Sequence, residues 1–283
     1  VEAFKASGAD CIVAIGGGSS MDTAKAIGII IENPEFADVR SLEGVAPTKN
    51  HAVFTIAVPT TAGTAAEVTI NYVITDVEKD RKMVCVDVHD IPVVAVVDPD
   101  MMATMPKGLT AATGMDALTH AIEAYTSVKA QPMTDVFAVS AVKRIFKYLP
   151  VAFHEGSNVE AREEMSLAAL EAGVAFNNAS VTLVHGMSRP IGALFHVPHG
   201  ISNAMRLKEC LTFALDGAYE RFADLGDAIG VTEPGQSVEE KASSFLGEVE
   251  KICGELEIPS LEKYGIDKPD LRNPLIITDV TKS

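Results

Sequence analysis

Hydrophobic periodicity changes once along this 283-residue chain, and that change limits what it can fold into. Up to about residue 100, apolar residues come in short runs that stop in glycine or small polar residues. These are CIVAIGGG at 11–18, VFTIAVPTT at 53–61, AEVTINYVIT at 66–75, MVCVDV at 83–88 and PVVAVVDPD at 92–100. SSMDTAKAIGIII, between the first two, has helical character. Buried strands alternating with helices predict a mostly parallel sheet. From about Leu109 the spacing turns helical. LTAATGMDALTHAIEAYTS is one segment, and MTDVFAVSAVKRIFKYL is a second that Pro150 is expected to stop. Ser157 with Glu160 predicts a capping box before REEMSLAALEAGVAF. Ser237 with Glu240 predicts another, before an amphipathic segment ending near Pro259. No strand pattern follows residue 110. The chain therefore reads as an α/β region over 1–106 and an all-α region over 107–283, divided in TMPKG at 104–108.

Hydrophobic residues make up 47% of the chain, enough for a substantial core. Acidic residues number 39 against 23 basic, a net charge of −16. A surface of that sign disfavours nucleic acid and anionic membranes as partners. Cys11, Cys85, Cys210 and Cys253 lack CxxC spacing and read as buried free thiols, which suits a cytoplasmic protein. No signal peptide or spanning helix is visible. Val1 already lies inside an amphipathic stretch, and NPLIITDVTKS at 273–283 does not read as a finished terminus. Both ends read as those of a piece of a longer chain.

Two loops at strand ends invite a phosphate. Gly16, Gly17 and Gly18 lead through Ser19 and Ser20 into a helix, where free N–H groups and the helix dipole favour negative charge. PTTAGTAAE at 59–67 follows a second strand, and ligands of open α/β sheets sit at such carboxyl ends. A glycine run alone is a weak signal, because tight packing also selects it. Two such loops strengthen the reading.

Four other residues suit a divalent metal. Asp116 and His120 are four apart and share a helix face. His185 precedes a glycine, and His199 follows a proline. A single histidine is usually structural, but four convergent groups argue for an ion. One carboxylate and three imidazoles fit Zn²⁺ or Fe²⁺, which the sequence does not order. His51, His89 and His154 read as surface or loop residues. His196, three before His199, reads equally as a packing residue or a group at the site.

Together GGGSSMDTAKAIG, PTTAGTAAEVT, DALTHAIEAY and HGM…PHG resemble the iron-containing (group III) alcohol dehydrogenases, over residues 1 to about 260. The resemblance implies an N-terminal dinucleotide-binding α/β domain, of the type shared with dehydroquinate synthase, and a C-terminal helical metal-binding domain. It places the metal ligands on Asp116, His120, His185 and His199. Pyrophosphate binding falls on Gly17, Gly18 and Ser19, with Asp22 nearby, and on Thr60, Thr61 and Thr64. Thr69 and Lys82 would lie along the cofactor, NAD or NADP. Asn71, Val73 and Phe176 would line the nicotinamide and substrate pocket. A homodimer is implied too.

The chain departs from the family in two places. A strand–helix–strand region that reads the adenosine ribose would precede Val1, so this stretch does not separate NAD from NADP. Close members carry a second His four residues after the first metal His, where this chain has Arg189. That His is a candidate proton relay, and an arginine stays protonated. His196 or water is the expected substitute. The implied reaction is metal-assisted hydride transfer between NAD(P) and a small primary alcohol or aldehyde. The alternatives are a metal-dependent lyase of the dehydroquinate-synthase type and an inactive cofactor-binding relative.

Overall fold

The computed structural model describes residues 1–79, 81–267 and 269–272. The first hundred residues hold every described strand: β1 (Cys11–Gly16), β2 (Gly44–Val45), β3 (Phe54–Pro59), β4 (Asn71–Asp76), β5 (Arg81–Val86) and β6 (Val94–Ala95). They also hold helices α1 (Glu2–Ser7) and α2 (Gly18–Glu32). The rest is helical: α3 (Lys107–Thr126), α4 (Pro132–His154), α5 (Val159–Ala179), α6 (Leu183–Leu194), α7 (His199–Ala214), α8 (Tyr219–Ile229) and α9 (Val238–Glu255). The tail at 273–283, read above as unfinished, lies outside the described residues.

The strands form two three-stranded sheets rather than one, in the orders β1-β3-β6 and β2-β5-β4. Three of the described pairings are parallel, and β4 with β5 is antiparallel. The short link between β4 and β5 explains the exception, because parallel strands need a long crossover. The run at 66–75 is a strand only from Asn71. Ala65 turns left-handed (φ 52) and Ala66–Val68 form one tight helical turn.

Three local expectations fail. Helix α4 runs through Pro150 to His154. The missing N–H costs the helix one bond near its end, and Pro150 is half-buried rather than wedged in the core. The cap of α5 is Asn158, whose side chain accepts from Ala161 N (3.0 Å), and not Ser157. Asparagine is as good a cap as serine, and it lies one residue closer to the helix. Cys11 is exposed, because it opens β1 at the rim of its sheet. The Ser237–Glu240 capping box of α9 forms as expected. Among the described residues, no single helix is long and apolar enough to cross a membrane.

The helices share one buried cluster that includes Met115, Leu118, Ile122, Ile145 and Leu149. Helix α3 lies within it, with fifteen of its residues buried from Thr110 to Tyr125. That position carries Asp116 and His120 into the centre of the helical region.

Candidate metal and cofactor site

Asp116 and His120 project from α3, His185 from the first turn of α6, and His199 from the start of α7. The last placement depends on Gly200, where a Cβ would lie 2.0 Å from the carbonyl oxygen of Ala112 on α3. Only a glycine lets α7 begin against α3. The ligating atoms of Asp116, His120 and His185 lie within 4.8 Å of one another. His199 Nε2 is 3.6 Å from Asp116 Oδ1, and His185 Nε2 is 3.7 Å from the same oxygen. Asp116, His120 and His185 are buried, while His199 keeps about a third of its side chain open (36%).

The electrostatics follow from that crowding. Burial by itself would raise the Asp116 carboxyl, but His120, His199 and His185 hold it far below the carboxylate range. Burial lowers His120 to about 3, against the pull of Asp116. Burial lowers His199 to about 4, and nearby His185, Lys82 and Arg189 add to the effect. His185 moves the other way. Burial works against its charge, yet Glu123 and Asp116 raise it above the usual imidazole value.

Glu123 is the main residue that sequence reading missed. It is fully buried and accepts from Thr182 Oγ1 (2.8 Å), Val184 N (2.6 Å) and the Nδ1 of His185. With Nδ1 held by Glu123, Nε2 is the ring atom that faces Asp116. Spacing could have found it, since Glu123 follows His120 by three residues and Asp116 by seven. Asn203, one turn after His199, is the other. Its Nδ2 donates to Asp116 Oδ1 (2.7 Å), and its Oδ1 accepts from Ser188. Phe176 stacks on His120, ring centroids 4.1 Å apart, which brings an expected pocket residue directly onto the quartet. A buried carboxylate among three imidazoles, two of them held neutral, is a donor set that fits a divalent cation.

The expected cofactor residues divide into two groups. Gly17 caps α2, and a Cβ there would lie 3.2 Å from Thr61 Oγ1. A Cβ at Gly18 would lie 3.0 Å from Thr64 Cγ2. Thr60 N donates to Gly16 O (3.0 Å). The two loops therefore meet, and the N-terminus of α2 opens beside exposed Ser19. Asp22 and Thr69 take part in the contact between α2 and the β4 segment. Asp22 Oδ2 accepts from Val73 N (3.0 Å), and burial raises its carboxyl to about 6. Thr69 is buried, and its carbonyl takes a hydrogen bond from Lys25. Asn71 and Val73 lie on β4. Lys82, on β5, is exposed, and its charge bears on His199. Ile70, just before β4, donates its N–H to Asn177 Oδ1 (2.8 Å), which ties the strand to the helix that carries Phe176.

His196 is exposed, left-handed (φ 53) and in the link between α6 and α7. Among the described residues it makes no hydrogen bond to the quartet. Arg189 follows His185 by one turn of α6, and its charge reaches His199.

Two family models match the chain: "Iron-containing alcohol dehydrogenase" over residues 1–99 and "Fe-containing alcohol dehydrogenase family, C-terminal" over 110–275. Lactaldehyde reductase of Escherichia coli K12 is 49% identical over 269 residues, covering 95% of this chain and 70% of the relative. NAD-dependent methanol dehydrogenase of Bacillus methanolicus is 42% identical over 272 residues, covering 96% and 71%. The solved structure of a 1,3-propanediol oxidoreductase superposes with a TM-score of 0.95 at 38% identity, covering all of this chain and 73% of that one. The chain belongs to the iron-containing alcohol dehydrogenase family. It is an NAD(P)-dependent alcohol and aldehyde oxidoreductase, of a family that works with a metal.

Proposed function

We propose that this enzyme interconverts a short primary alcohol and its aldehyde, with lactaldehyde and 1,2-propanediol as the substrate pair, using Fe²⁺ and NAD. Zn²⁺ and NADP are the variants to test against them. The observation that carries the reading is the convergence of Asp116, His120 and His185 in a buried space, with His199 at its open edge. These four would hold the ion, which when bound supplies the positive charge that polarises the substrate oxygen. The nicotinamide supplies the hydride acceptor.

The residues do the positioning. Glu123 keeps His185 in one tautomer, and Asn203 aims the Asp116 carboxylate. Gly17, Gly18 and Ser19 at the start of α2, with Thr60, Thr61 and Thr64 opposite, would take the pyrophosphate. Phe176 against His120, with Asn71 and Val73, would shape a small pocket with one polar contact. Lys82 would lie along the cofactor. Asp22 and Thr69 would serve that site through β4 rather than by touching the phosphates. Arg189 holds its proton and cannot relay one. His196 would reach the substrate oxygen through water, given its exposed place.

The division into a dinucleotide-binding domain over 1–106 and a metal-binding domain over 107–283 is part of the same reading. It is supported by α3 beginning at Lys107. The family also supports a homodimer, and a cytoplasmic home suits the free thiols.

The test is a substrate screen on the full-length protein, loaded with Fe²⁺ or Zn²⁺, with NAD and NADP in turn. Steady NADH formation from 1,2-propanediol, faster than from ethanol or methanol, is expected. No net NADH from any alcohol would favour the lyase. Less than about half an ion per chain after loading would favour an inactive relative.

A further inference from the structure

Strand β4 is the outer strand of its sheet, with β5 on one flank. Backbone groups of successive residues in a strand turn to opposite flanks. The carbonyl of Ile70 accepts from Asp87 N (2.9 Å), so the even-numbered residues face β5. The backbone groups of Thr69, Asn71 and Val73 face the other flank, which holds no strand among the described residues.

Helix α2 stands there instead. Lys25 Nζ donates to the carbonyls of Thr69 and Asn71, the second at 3.0 Å, and lies 3.4 Å from Thr69 Oγ1. Asp22 Oδ2 accepts the N–H of Val73 at 3.0 Å. Asp22 and Lys25 are three residues apart and share one helix face. Two side chains thus supply the partners that a neighbouring strand would have provided. Lys25 is only 1% exposed. An ammonium group is costly to bury unless its donors are matched. Here its three N–H bonds meet two carbonyls and a hydroxyl; burial lowers its pKa from the ordinary lysine value, and Asp90, Asp22 and Glu67 oppose that shift.

The same helix begins at Gly18, beside the phosphate loop, and the same strand carries Asn71 and Val73. We propose that Asp22 and Lys25 are positioning residues that clasp the nicotinamide-pocket strand to the pyrophosphate helix, and so set the distance between the two halves of the cofactor site. Neither touches the substrate. The clasp rests on the cofactor reading above.

The experiment measures NADH affinity by nucleotide fluorescence, KM and kcat for the alcohol, metal content and circular dichroism, on full-length variants. Lys25→Met should fold and keep its metal. It should weaken NADH binding and raise the alcohol KM by about tenfold, with a smaller change in kcat, because small misplacements are costly at a hydride-transfer site. Asp22→Ala should show the same pattern more weakly. Asp22→Asn, which keeps an oxygen acceptor, should recover most of what Asp22→Ala loses. A folded Lys25→Met variant with NADH affinity and KM within about twofold of wild type overturns the clasp and leaves the functional reading standing. Where Lys25→Met does not fold, the Asp22 pair decides, and equal behaviour of Ala and Asn overturns the clasp. A wild-type protein that binds neither NADH nor NADPH overturns the functional reading and the clasp with it.

Discussion

In the helical region one large buried cluster joins residues from Met102 to Leu256 and takes in Ala62 and Ala65 of the second loop, with a small cluster around Ile191 beside it, whereas the α/β region holds only two small clusters, around Ile29 and around Ala57. The sheets differ from the helices in cover as well. Helix α2 packs on β1 and β3, while Val13 (54% exposed), Ile15 (56%) and Phe54 (46%) stand open on the same strands. Parallel sheets are normally covered on both faces. The metal quartet is therefore framed by close-packed helices, with Gly200 set against Ala112. The proposed phosphate loops and pocket strand depend on a few particular close approaches, such as Gly17 to Thr61, Gly18 to Thr64, and Lys25 to β4. Damage should separate accordingly: the helical region should lose metal, and the α/β region should lose cofactor.

The largest effect is expected at Asp116. Asp116→Ala should leave under about a tenth of the bound metal and cut turnover by about a thousandfold or more, since a polarising ion is worth several kcal/mol. NADH affinity should hardly change. Elemental analysis beside a fluorescence titration checks both halves, and a variant that kept its metal would break the comparison.

Glu123→Gln comes next. It keeps the shape but weakens the grip on His185 Nδ1, so metal affinity should fall by about 10–100-fold in a chelator competition. Unchanged affinity would mean that packing alone orients His185.

Gly18→Ala tests the other region. Its new Cβ would press on Thr64, 3.0 Å away. NADH binding should weaken by about tenfold while metal content stays constant. Loss of metal here would show that the two regions do not fail independently.

The smallest effect is one of pH. His120 and His199 are held neutral down to about 3 and about 4, so they offer lone pairs across the neutral range. Burial works against the charge of His185, but Glu123 and Asp116 raise it above the usual imidazole value, so of the three imidazoles it is the one where a proton competes most with an ion. Metal affinity should therefore fall as pH drops, by at most about tenfold per unit, with proton release on binding that grows toward lower pH. Calorimetry in buffers of different ionisation enthalpy reads that release, and its absence would sink the assignment to His185.

Much of this was legible in the chain. Short apolar runs ending in glycine marked β1 and β3, and helical spacing marked α3. Asp116 and His120 could be paired because four residues is one helical turn. His185 and His199 could not be brought together by spacing alone. They stand on different helices, and Gly200 admits α7 to its place only through a contact with Ala112. Pro150 misled because a proline's cost depends on how much helix follows it. Lys25 carried no signal, since a lysine in an amphipathic helix reads as solvent-facing.

By itself the sequence determined the family, the types of donor and the order of strands and helices, because periodicity and local spacing are properties of neighbours along the chain. Only the tertiary structure decided that Glu123 holds His185, that Asp22 accepts the N–H of Val73, and that a buried lysine completes the edge of β4. Those outcomes depend on which groups lose water together, and that is settled where distant segments meet.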